Sequence, residues 1–512
     1  MKIAVNVSWM APGKAGGMEW YVRALIDELA QIDDKNDYLL ITSHLNDETF
    51  APPSERWSKL RYDGGETDPA SYRRLPAPHA GHSPPHLDQM LRGQGVDLLF
   101  CPLLYALPDI PDIPTVVTIP DLQHRGLPDL FDSFELGSRN IGFPESVRAA
   151  TAVLGISDHV ASEIRREYGL QDDKVISTPL GLSPEFVSDP ELVRQYRDSA
   201  LAHYRVEGQY VFFPGNAWPH KNHAGLIAAF ERVLEDEPDV SLILTGSDAV
   251  AALIPPRLRS AVRHLGYVSR TELIGLTSGA AALVFPSLFE GFGLPVLEAM
   301  AVSTPILCSD LPTLREVGGE VPSYFDPESI TSIASSITSF LAAPEETERQ
   351  LSTMDSQLKK FSYRSTAIRT LAVFDEVESG ARTKPAPDAR PNLPLDGNSN
   401  LSDGLARWRV HANEINGVEA ELVSAAHTSD GRSRLPSRVA IAIEGVVIGE
   451  LALEPGGSSR TLKAKVPHWL KTDDMVELEL HDISHPHAAY SSTVRVARLI
   501  VIDDSHGEMR LI

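Results

Sequence analysis

SLFEGFGLPVLEAMA, residues 287–301, joins a predicted strand to a predicted helix through a short glycine-containing loop. The apolar run 281–287 is typical of a buried strand, and 294–301 has helical spacing. Pro295 suits the first turn of a helix, where its missing N–H costs nothing. Glycines let the backbone approach a ligand closely, and the free N–H groups at a helix start favour a phosphate. The segment therefore predicts a ligand-binding strand–loop–helix unit.

Two carboxylates flank this loop. Glu290 lies on the loop itself, and Glu298 lies inside the helix. One carboxylate can face a sugar while the other holds a ribose diol through paired O–H···O⁻ bonds. The alternative is a helix N-terminus with incidental acids, and the length of the whole string disfavours it.

Strand and helix patterns alternate on both sides of this unit, in two tandem blocks. Such alternation indicates a parallel sheet covered by helices on both faces. We expect two Rossmann-like domains, at residues 1–195 and 205–360. The strands are expected at 2–7, 38–43, 96–101, 115–119, 210–215, 240–246, 281–287 and 304–310, and the helices at 18–32, 157–169, 222–238, 270–280 and 294–301.

The C-terminal part of the chain has a different pattern. A proline-rich stretch, 381–402, is typical of a linker. Residues 403–512 contain about seven short segments of alternating hydrophobicity, which predict an antiparallel β-sandwich, with Glu444-Gly445 as a hairpin turn. This domain could bind carbohydrate, form oligomers or act as a spacer. Trp408 and Trp469 could stack on sugar or fill the sandwich core.

Composition excludes several functions for these 512 residues. The formal net charge of −24 argues against a nucleic-acid partner and against strong attachment to anionic lipid. No run of about 18 apolar residues is present, so no membrane-spanning helix is predicted. Cys101 and Cys308 lie far apart in apolar segments and are expected to be buried free thiols in a reducing cytosol. We therefore expect a cytoplasmic protein with at most peripheral membrane contact.

A second strand–loop–helix unit, FFPGNAWPHKNHAGLIAAF at 212–230, carries a lysine. Lys221 stands at a helix start, where its charge adds to the backbone N–H groups that bind phosphate. A solvated lysine at a helix cap is the alternative.

A third loop follows a strand in VVTIPDLQHRGLPDLF, 116–131, at the edge where α/β sheets bind ligands. Asp121 and His124 are candidates there for positioning a sugar or acceptor, unless they serve an Asx turn or helix cap.

The spacing of Glu290 and Glu298 resembles the Glu-x7-Glu motif of glycosyltransferase family 4, the retaining GT-B enzymes. The resemblance implies that Glu290 contacts the donor sugar and that Glu298 binds the ribose of the nucleotide. The backbone of the intervening segment, Gly291, Phe292, Gly293 and Leu294, would meet the sugar and the diphosphate. It also implies the GT-B fold, two Rossmann-like domains facing a cleft, with 361–378 crossing back onto the first domain.

The same resemblance extends to other segments, with two departures. Lys221 matches the family lysine that binds the diphosphate, after the loop glycine Gly215. Asn216 stands where many members have an arginine, so a second cation is absent or comes from elsewhere. Pro120 stands where many members have a histidine that contacts the donor sugar. Whether that role passes to Asp121 or His124 is left open.

Two further segments resemble the family more weakly. Gly16 and Gly17 match its N-terminal glycine loop, which faces the donor phosphates or the acceptor. HLGYVSRTEL, 264–273, is similar to the segment that holds the base, with Tyr267 and Val268 as contacts. Strand-to-helix capping by Ser269 explains that second segment nearly as well.

Together with these residues, the resemblance implies a retaining, metal-independent hexosyltransferase that uses a nucleotide sugar such as a GDP- or UDP-sugar, with no cofactor. The D-L-Q-H and W-P-H-K-N-H strings favour a mannose-like sugar and surface polysaccharide or lipopolysaccharide assembly. The acceptor would be a glycan or glycolipid, and the β-sandwich could mediate a homo-oligomer. The alternatives are a degenerate nucleotide-sugar-binding protein without turnover, or a different enzyme on the same scaffold, such as a nucleotide-sugar epimerase or a phosphorylase.

Overall fold

The computed structural model describes residues 1–13, 16–63, 87–110, 112–131, 133–171, 173–186 and 189–383, and beyond them eight strands between 405 and 511. Within this part of the chain, two parallel sheets each carry helices packed against them. The predicted α/β architecture of the first 360 residues is confirmed.

The first sheet has seven parallel strands in the order β3-β2-β1-β4-β5-β6-β7. Most of its strand residues are fully buried, because helices cover both faces and the strands are continuous apolar runs. The strands are β1 (Lys2–Asn6), β2 (Asp37–Thr42), β3 (Trp57–Arg61), β4 (Leu98–Cys101), β5 (Thr115–Ile119), β6 (Ala152–Gly155) and β7 (Val175–Ser177). The helices are α1 (Gly17–Ile32), α2 (Leu87–Gly93), α3 (Gln123–Gly126), α4 (Ser133–Ala149) and α5 (Asp158–Tyr168).

The second sheet has six parallel strands in the order β10-β9-β8-β11-β12-β13. The strands are β8 (Tyr210–Pro214), β9 (Ser241–Thr245), β10 (Val262–His264), β11 (Ala282–Phe285), β12 (Ile306–Ser309) and β13 (Ser323–Phe325). The helices are α6 (Pro190–Tyr204), α7 (His223–Asp236), α8 (Arg270–Gly279), α9 (Leu294–Ala301), α10 (Pro312–Gly318), α11 (Ile330–Leu341), α12 (Pro344–Leu358) and α13 (Tyr363–Glu378).

One domain boundary differs from the prediction. Helix α6 packs against α8 of the second domain so closely that a methyl group on Gly275 would lie 2.3 Å from the carbonyl oxygen of Tyr196. Residues 190–195, which the sequence analysis placed in the first domain, therefore lie on the second. The backbone-to-backbone approach at Gly275 is the physical reason, and a pattern of apolar residues does not reveal it.

Helix α13 lies against the first domain. Phe374 packs edge-on to Phe100 of β4, with ring centroids 5.4 Å apart, and Lys35 forms an ion pair with Asp375 at 3.1 Å. The hydroxyl of Thr366 donates to the carbonyl oxygen of Pro179 at 2.5 Å. The last helix of the described α/β region thus ties the two domains together.

We expect Gly181→Ala to break this junction. A methyl group at Gly181 would lie 2.0 Å from the backbone nitrogen of Tyr363, at the start of α13. The overpacking should lower the free energy of unfolding by about 1–3 kcal/mol or more. Gly93→Ala is the matched control, because its methyl group would meet nothing within 4 Å. Equal denaturant midpoints for the two variants would show that α13 does not pack here.

The eight C-terminal strands form two antiparallel sheets in the orders β14-β19-β16-β17 and β18-β15-β20-β21. They are β14 (Leu405–His411), β15 (Gly417–Ser424), β16 (Arg438–Ile443), β17 (Val446–Ala452), β18 (Ser459–Lys465), β19 (Met475–Asp482), β20 (Val494–Asp503) and β21 (Gly507–Leu511). Glu444-Gly445, Trp469 and almost all of the 381–402 linker lie outside the described residues, as does the side chain of Trp408. The sandwich itself stays a prediction.

None of the helices in the described ranges is long and apolar enough to cross a membrane. Cys101 and Cys308 are buried and unbridged, as predicted. Burial raises the pKa of the Cys308 thiol, with a smaller contribution from Asp310. Its burial and raised pKa give Cys308 none of the character of a reactive thiolate.

Candidate active site between the two domains

An ion pair joins the two strongest sequence motifs. The ammonium of Lys221 lies 2.6 Å from Oε1 of Glu290, and the two side chains are only 16% and 12% exposed. Lys221 ends a short 3₁₀ turn, Pro219–Lys221, that follows β8, and Glu290 lies on the loop after β11. The strands are neighbours in the sheet, so their carboxyl ends bring the two residues together.

The loop that carries Glu290 is held at both sides. The N–H of Leu288 donates to the carbonyl oxygen of His220 at 2.7 Å, and the hydroxyl of Thr313 donates to the carbonyl oxygen of Glu290 at 2.9 Å. Lys221 also lies 5.2 Å from the ring centroid of Phe285, at the end of β11. These contacts fix the charged pair in one geometry, as pre-organised electrostatic stabilisation requires.

The loop ends at the N-terminus of α9. Gly293 has a φ of 109°, and a methyl group there would lie 2.5 Å from Cδ2 of Leu314, so only glycine fits. No side chain caps the first turn of α9. Pro295 has no N–H, and the N–H of Val296 donates to the carbonyl oxygen of Gly293 at 2.9 Å. The N–H of Leu294, at the positive end of the helix dipole, can thus donate to a bound anion. Phe292 is buried and packs edge-on to Phe361, so it can offer a ligand only its backbone.

Glu298, in the middle of α9, is buried and paired. Its carboxylate accepts from the guanidinium of Arg270, at the start of α8, at 2.9 Å. Burial raises the pKa of Glu298, and Arg270 opposes that shift by its charge and its hydrogen bond. Sequence analysis placed Arg270 in the weak base-binding segment without assigning it a role, because its partner lies on a different helix.

The predicted loops of the first domain meet this site directly. A methyl group on Gly291 would lie 2.3 Å from the carbonyl oxygen of Pro120, and the hydroxyl of Ser157 donates to the carbonyl oxygen of Gly291 at 2.9 Å. A methyl group on Gly17 would lie 3.0 Å from Cδ1 of Leu294. Three segments that the sequence analysis named separately therefore line one junction between the domains.

A second interdomain contact flanks this junction. The carboxylate of Glu316, on α10, accepts from the backbone N–H of Asp158 at 2.8 Å and from that of His159 at 2.9 Å. These are the first residues of α5, whose positive dipole end favours an anion. Burial raises the pKa of Glu316, and the two backbone hydrogen bonds lower it. The second domain thus caps a helix of the first.

One of the two departures from the family pattern, Asn216, has a local structural explanation. Oδ1 of Asn216 accepts from the N–H of Ser247 at 3.2 Å, and Oγ of Ser247 accepts from the N–H of Ala217 at 3.2 Å. Asn216 therefore joins the loops after β8 and β9 but brings no positive charge. The same two loops also approach each other at their glycines. A methyl group on Gly246 would lie 2.2 Å from the carbonyl oxygen of Gly215.

Asp121 and His124 lie in different surroundings. Oδ1 of Asp121 accepts from the N–H of Gln123 at 2.9 Å, an Asx turn, and lies 3.6 Å from Arg139. Asp121 also borders the junction at Gly291. His124 is 1% exposed and packs edge-on to Phe143, and burial holds its pKa well below its usual value. This placement favours a structural role for His124 over substrate contact.

The segment after β10 is open to solvent. Tyr267 is 72% exposed, and Val268 is partly buried against the core. The carbonyl oxygen of Gly266 accepts from the N–H of Gly246 at 2.9 Å, which sets this loop beside the one after β9. Ser269 and Glu272 form a capping box for α8, so the capping alternative is realised. Contact of Tyr267 and Val268 with a base stays a prediction.

Two histidines of the lysine motif are held neutral. Burial lowers the pKa of both His220 and His223 to about 4, and the charge of Lys221 adds to the effect. His223 packs against Phe213, with ring centroids 4.8 Å apart. Across neutral pH the positive charge of this motif therefore comes from Lys221. In the part of the chain that is described, no three His, Cys, Asp or Glu side chains are grouped as a metal site.

Comparison with known proteins identifies two family models that match this chain. Residues 15–186 match the family model described as Glycosyltransferase Family 4, and residues 203–354 match the one described as Glycosyl transferases group 1. The glycosyltransferase structure from Rickettsia africae ESF-5 superposes with a TM-score of 0.55 at 14% identity, over 74% of this chain and 98% of that one. This likeness shows the fold alone.

Two curated relatives are more similar in sequence. The O-antigen chain mannosyltransferase B of Escherichia coli is 31% identical over 45% of this chain and 62% of its own length. The O-antigen chain mannosyltransferase RfbU of Salmonella typhimurium LT2 is 29% identical over 40% of this chain and 55% of its own. The chain thus spans less than two thirds of each relative. With both family models matched in order along its two α/β domains, the chain belongs to glycosyltransferase family 4.

Proposed function

We propose that this protein transfers a hexose, with a mannose-like sugar favoured, from a nucleotide sugar to a glycan or glycolipid acceptor with retention of configuration. The observation that carries the proposal is the Lys221–Glu290 pair, 2.6 Å apart beside the uncapped N-terminus of α9. A cation and the positive end of a helix dipole suit the charge of a diphosphate, and a carboxylate can accept hydrogen bonds from the hydroxyls of a sugar.

The chemistry follows from where charge develops. As the bond between the sugar and the diphosphate breaks, negative charge grows on the leaving nucleoside diphosphate. Lys221 has three N–H donors, so it can hold Glu290 and a phosphate oxygen at once. The N-terminus of α9 adds the positive end of its helix dipole, with the N–H of Leu294 as a donor. Glu290 would then orient the sugar hydroxyls, and Glu298 the ribose.

Closure of the domains would protect the reaction from water. Pro120 and Asp121 of the first domain lie against Gly291 beside the proposed sugar position. Excluding water there strengthens the electrostatic contacts and limits hydrolysis of the donor. Because Asp121 borders the junction and His124 is buried, Asp121 is the better candidate for contacting sugar or acceptor.

The names of the relatives support the cellular role that we propose. The two relatives described above are O-antigen chain mannosyltransferases. We therefore propose a function in surface polysaccharide or lipopolysaccharide assembly, in the cytoplasm or at the inner face of the membrane. The C-terminal sheets would form a β-sandwich that binds glycan or a second copy of the chain.

A binding protein without turnover is the second candidate. Pro120 and Asn216 replace two side chains that many family members use, and Asn216 supplies no second cation. Two observations argue against a binding protein without turnover: Lys221 and Glu290 form an ion pair, and Glu298 is present and paired with Arg270. No observation favours an epimerase.

The proposed function is tested by an assay of sugar transfer. Purified protein is incubated in EDTA with GDP-mannose or UDP-glucose and a panel of mannose-containing glycans. We expect release of the nucleoside diphosphate that depends on the acceptor, and NMR of the product should show an α-linkage from an α-linked donor. Donor binding with no product from any acceptor would support the binding protein instead, and activity only with added metal would contradict metal independence.

A further inference from the structure

Arg270 lies between the two domains and makes three contacts. Its guanidinium donates to Glu298 of its own domain at 2.9 Å. Its central carbon lies 5.1 Å from the ring centroid of Trp20 and 4.4 Å from that of Phe186, both on the first domain. Trp20 is in the first turn of α1, just after Gly16 and Gly17. The family resemblance assigns this arginine no role.

Glu298 needs a cation because of where it lies. A carboxylate that is buried without a partner takes up a proton, since desolvation penalises its charged form. Three groups face it: Arg270 from α8, Glu185 from the turn Pro184–Phe186, and Tyr363 from α13. Glu185 disfavours the charge of Glu298, and burial raises the pKa of Tyr363 and keeps its hydroxyl neutral. Of these three groups, Arg270 alone stabilises the carboxylate.

Because Trp20 and Phe186 belong to the first domain, their contacts make the stabilisation of Glu298 by Arg270 depend on that domain. Arginine stacks on aromatic faces through its planar guanidinium, and such contacts strengthen when water is excluded. Phe186 is buried and Trp20 is 39% exposed, so the guanidinium has one buried and one partly open ring beside it. If the domains separated, Arg270 would lose its contacts with both rings and become hydrated. Its electrostatic stabilisation of the Glu298 carboxylate would then weaken.

We propose that Arg270 is a positioning residue that keeps the Glu298 carboxylate charged and aimed at the ribose of a nucleoside diphosphate, and that Trp20 and Phe186 make this depend on domain closure. Nucleotide binding and closure thus favour each other, as linkage requires. The inference rests on the proposed function, because it takes Glu298 as the ribose ligand.

The experiment measures the dissociation constants of GDP and UDP by calorimetry from pH 5.5 to 8.5. Without Arg270, the pKa of Glu298 rises further, so the carboxylate is protonated at higher pH. For Arg270→Gln we expect affinity to fall as pH decreases, by about tenfold per pH unit below the raised pKa, and to recover as pH increases. Because the terminal phosphate of GDP and UDP itself titrates in this range, each variant is compared with the wild type at the same pH, and the ratio of the two dissociation constants carries the result. Arg270→Lys, which keeps the charge, should lie between the wild type and Arg270→Gln.

Trp20 gives an independent arm. Trp20→Leu leaves the Arg270–Glu298 pair intact but removes one ring, so it should move the pH profile in the same direction by a smaller amount. Trp20→Phe keeps a ring and should restore the wild-type profile. Melting curves of each variant at pH 8 show that it is folded.

The possible results distinguish failure of the positioning role of Arg270 from failure of the proposed function. A wild type that binds nucleotide, with Arg270→Gln weakened equally at every pH, would overturn the positioning role and leave the proposed function standing. An unshifted profile for Trp20→Leu would overturn the dependence on closure. A wild type that binds neither GDP nor UDP at any pH would overturn the proposed function and this inference together.

Discussion

Lys221→Ala is expected to lower kcat for sugar transfer by about 10²- to 10³-fold, the usual cost of removing one pre-organised group that stabilises developing charge. The ammonium is held 2.6 Å from Glu290, on the loop that leads into α9, and the buried His220 and His223 stay neutral at the pH of the assay. The positive charge of the lysine motif is therefore lost. The KM for the donor should change less than kcat, because charge on the diphosphate grows as the bond breaks.

Three controls isolate that effect. Lys221→Arg keeps a cation and should retain part of the activity. Lys359→Ala removes an exposed lysine of the second domain and should leave kcat unchanged. The double variant Lys221→Met/Glu290→Gln avoids leaving Glu290 buried without a partner, and it should be as inactive as Lys221→Ala. If Lys221→Ala keeps kcat and raises only KM, the lysine binds the donor without acting in the transition state.

Gly291→Ala is expected to separate donor binding from transfer. The methyl group would lie 2.3 Å from the carbonyl oxygen of Pro120, so the first domain must move away by about 1 Å, a displacement that can cost roughly 10²-fold in rate. In the proposed function the second domain holds the nucleotide, so the dissociation constant of the nucleotide should change much less than the rate of transfer, and by no more than the effect of domain closure on Arg270 and Glu298.

Gly17→Ala provides a graded comparison at the same junction. Its methyl group would meet only the end of the Leu294 side chain, at 3.0 Å, and that side chain can move. We expect a loss of a fewfold in transfer, well below that of Gly291→Ala. Equal activity of Gly291→Ala and wild type would mean that the domains do not adopt this approach during the reaction.

The sequence was sufficient for the parts of the site that lie close together along the chain. The Glu290–Glu298 spacing and the position of Lys221 after a strand both depend on local order, and parallel sheets bring such strand ends together. The predicted strands of each α/β domain were found for the same reason. Short strands such as Val175–Ser177 and Ser323–Phe325 carry too few residues to show a period.

Features that depend on contacts between distant segments could not be predicted. The Arg270–Glu298 pair joins two helices, and the approach of Pro120 to Gly291 involves backbone atoms of two domains. The burial of His124 depends on Phe143, a residue of a helix that the sequence analysis did not identify. The role of Asn216 as a link between two loops likewise needs the position of Ser247.

The most direct test of the central claim is ligand-induced thermal stabilisation. Wild type and Glu298→Ala are melted in EDTA with a panel of GDP- and UDP-sugars, and each is compared with its own ligand-free curve. A donor at 100 times its dissociation constant stabilises the native state by about 2.7 kcal/mol, which is a shift of several degrees. We predict that one nucleoside diphosphate sugar shifts the wild type and that Glu298→Ala loses the shift. No shift of the wild type by any donor, or an equal shift of both proteins, would contradict a nucleotide-sugar site at Glu298.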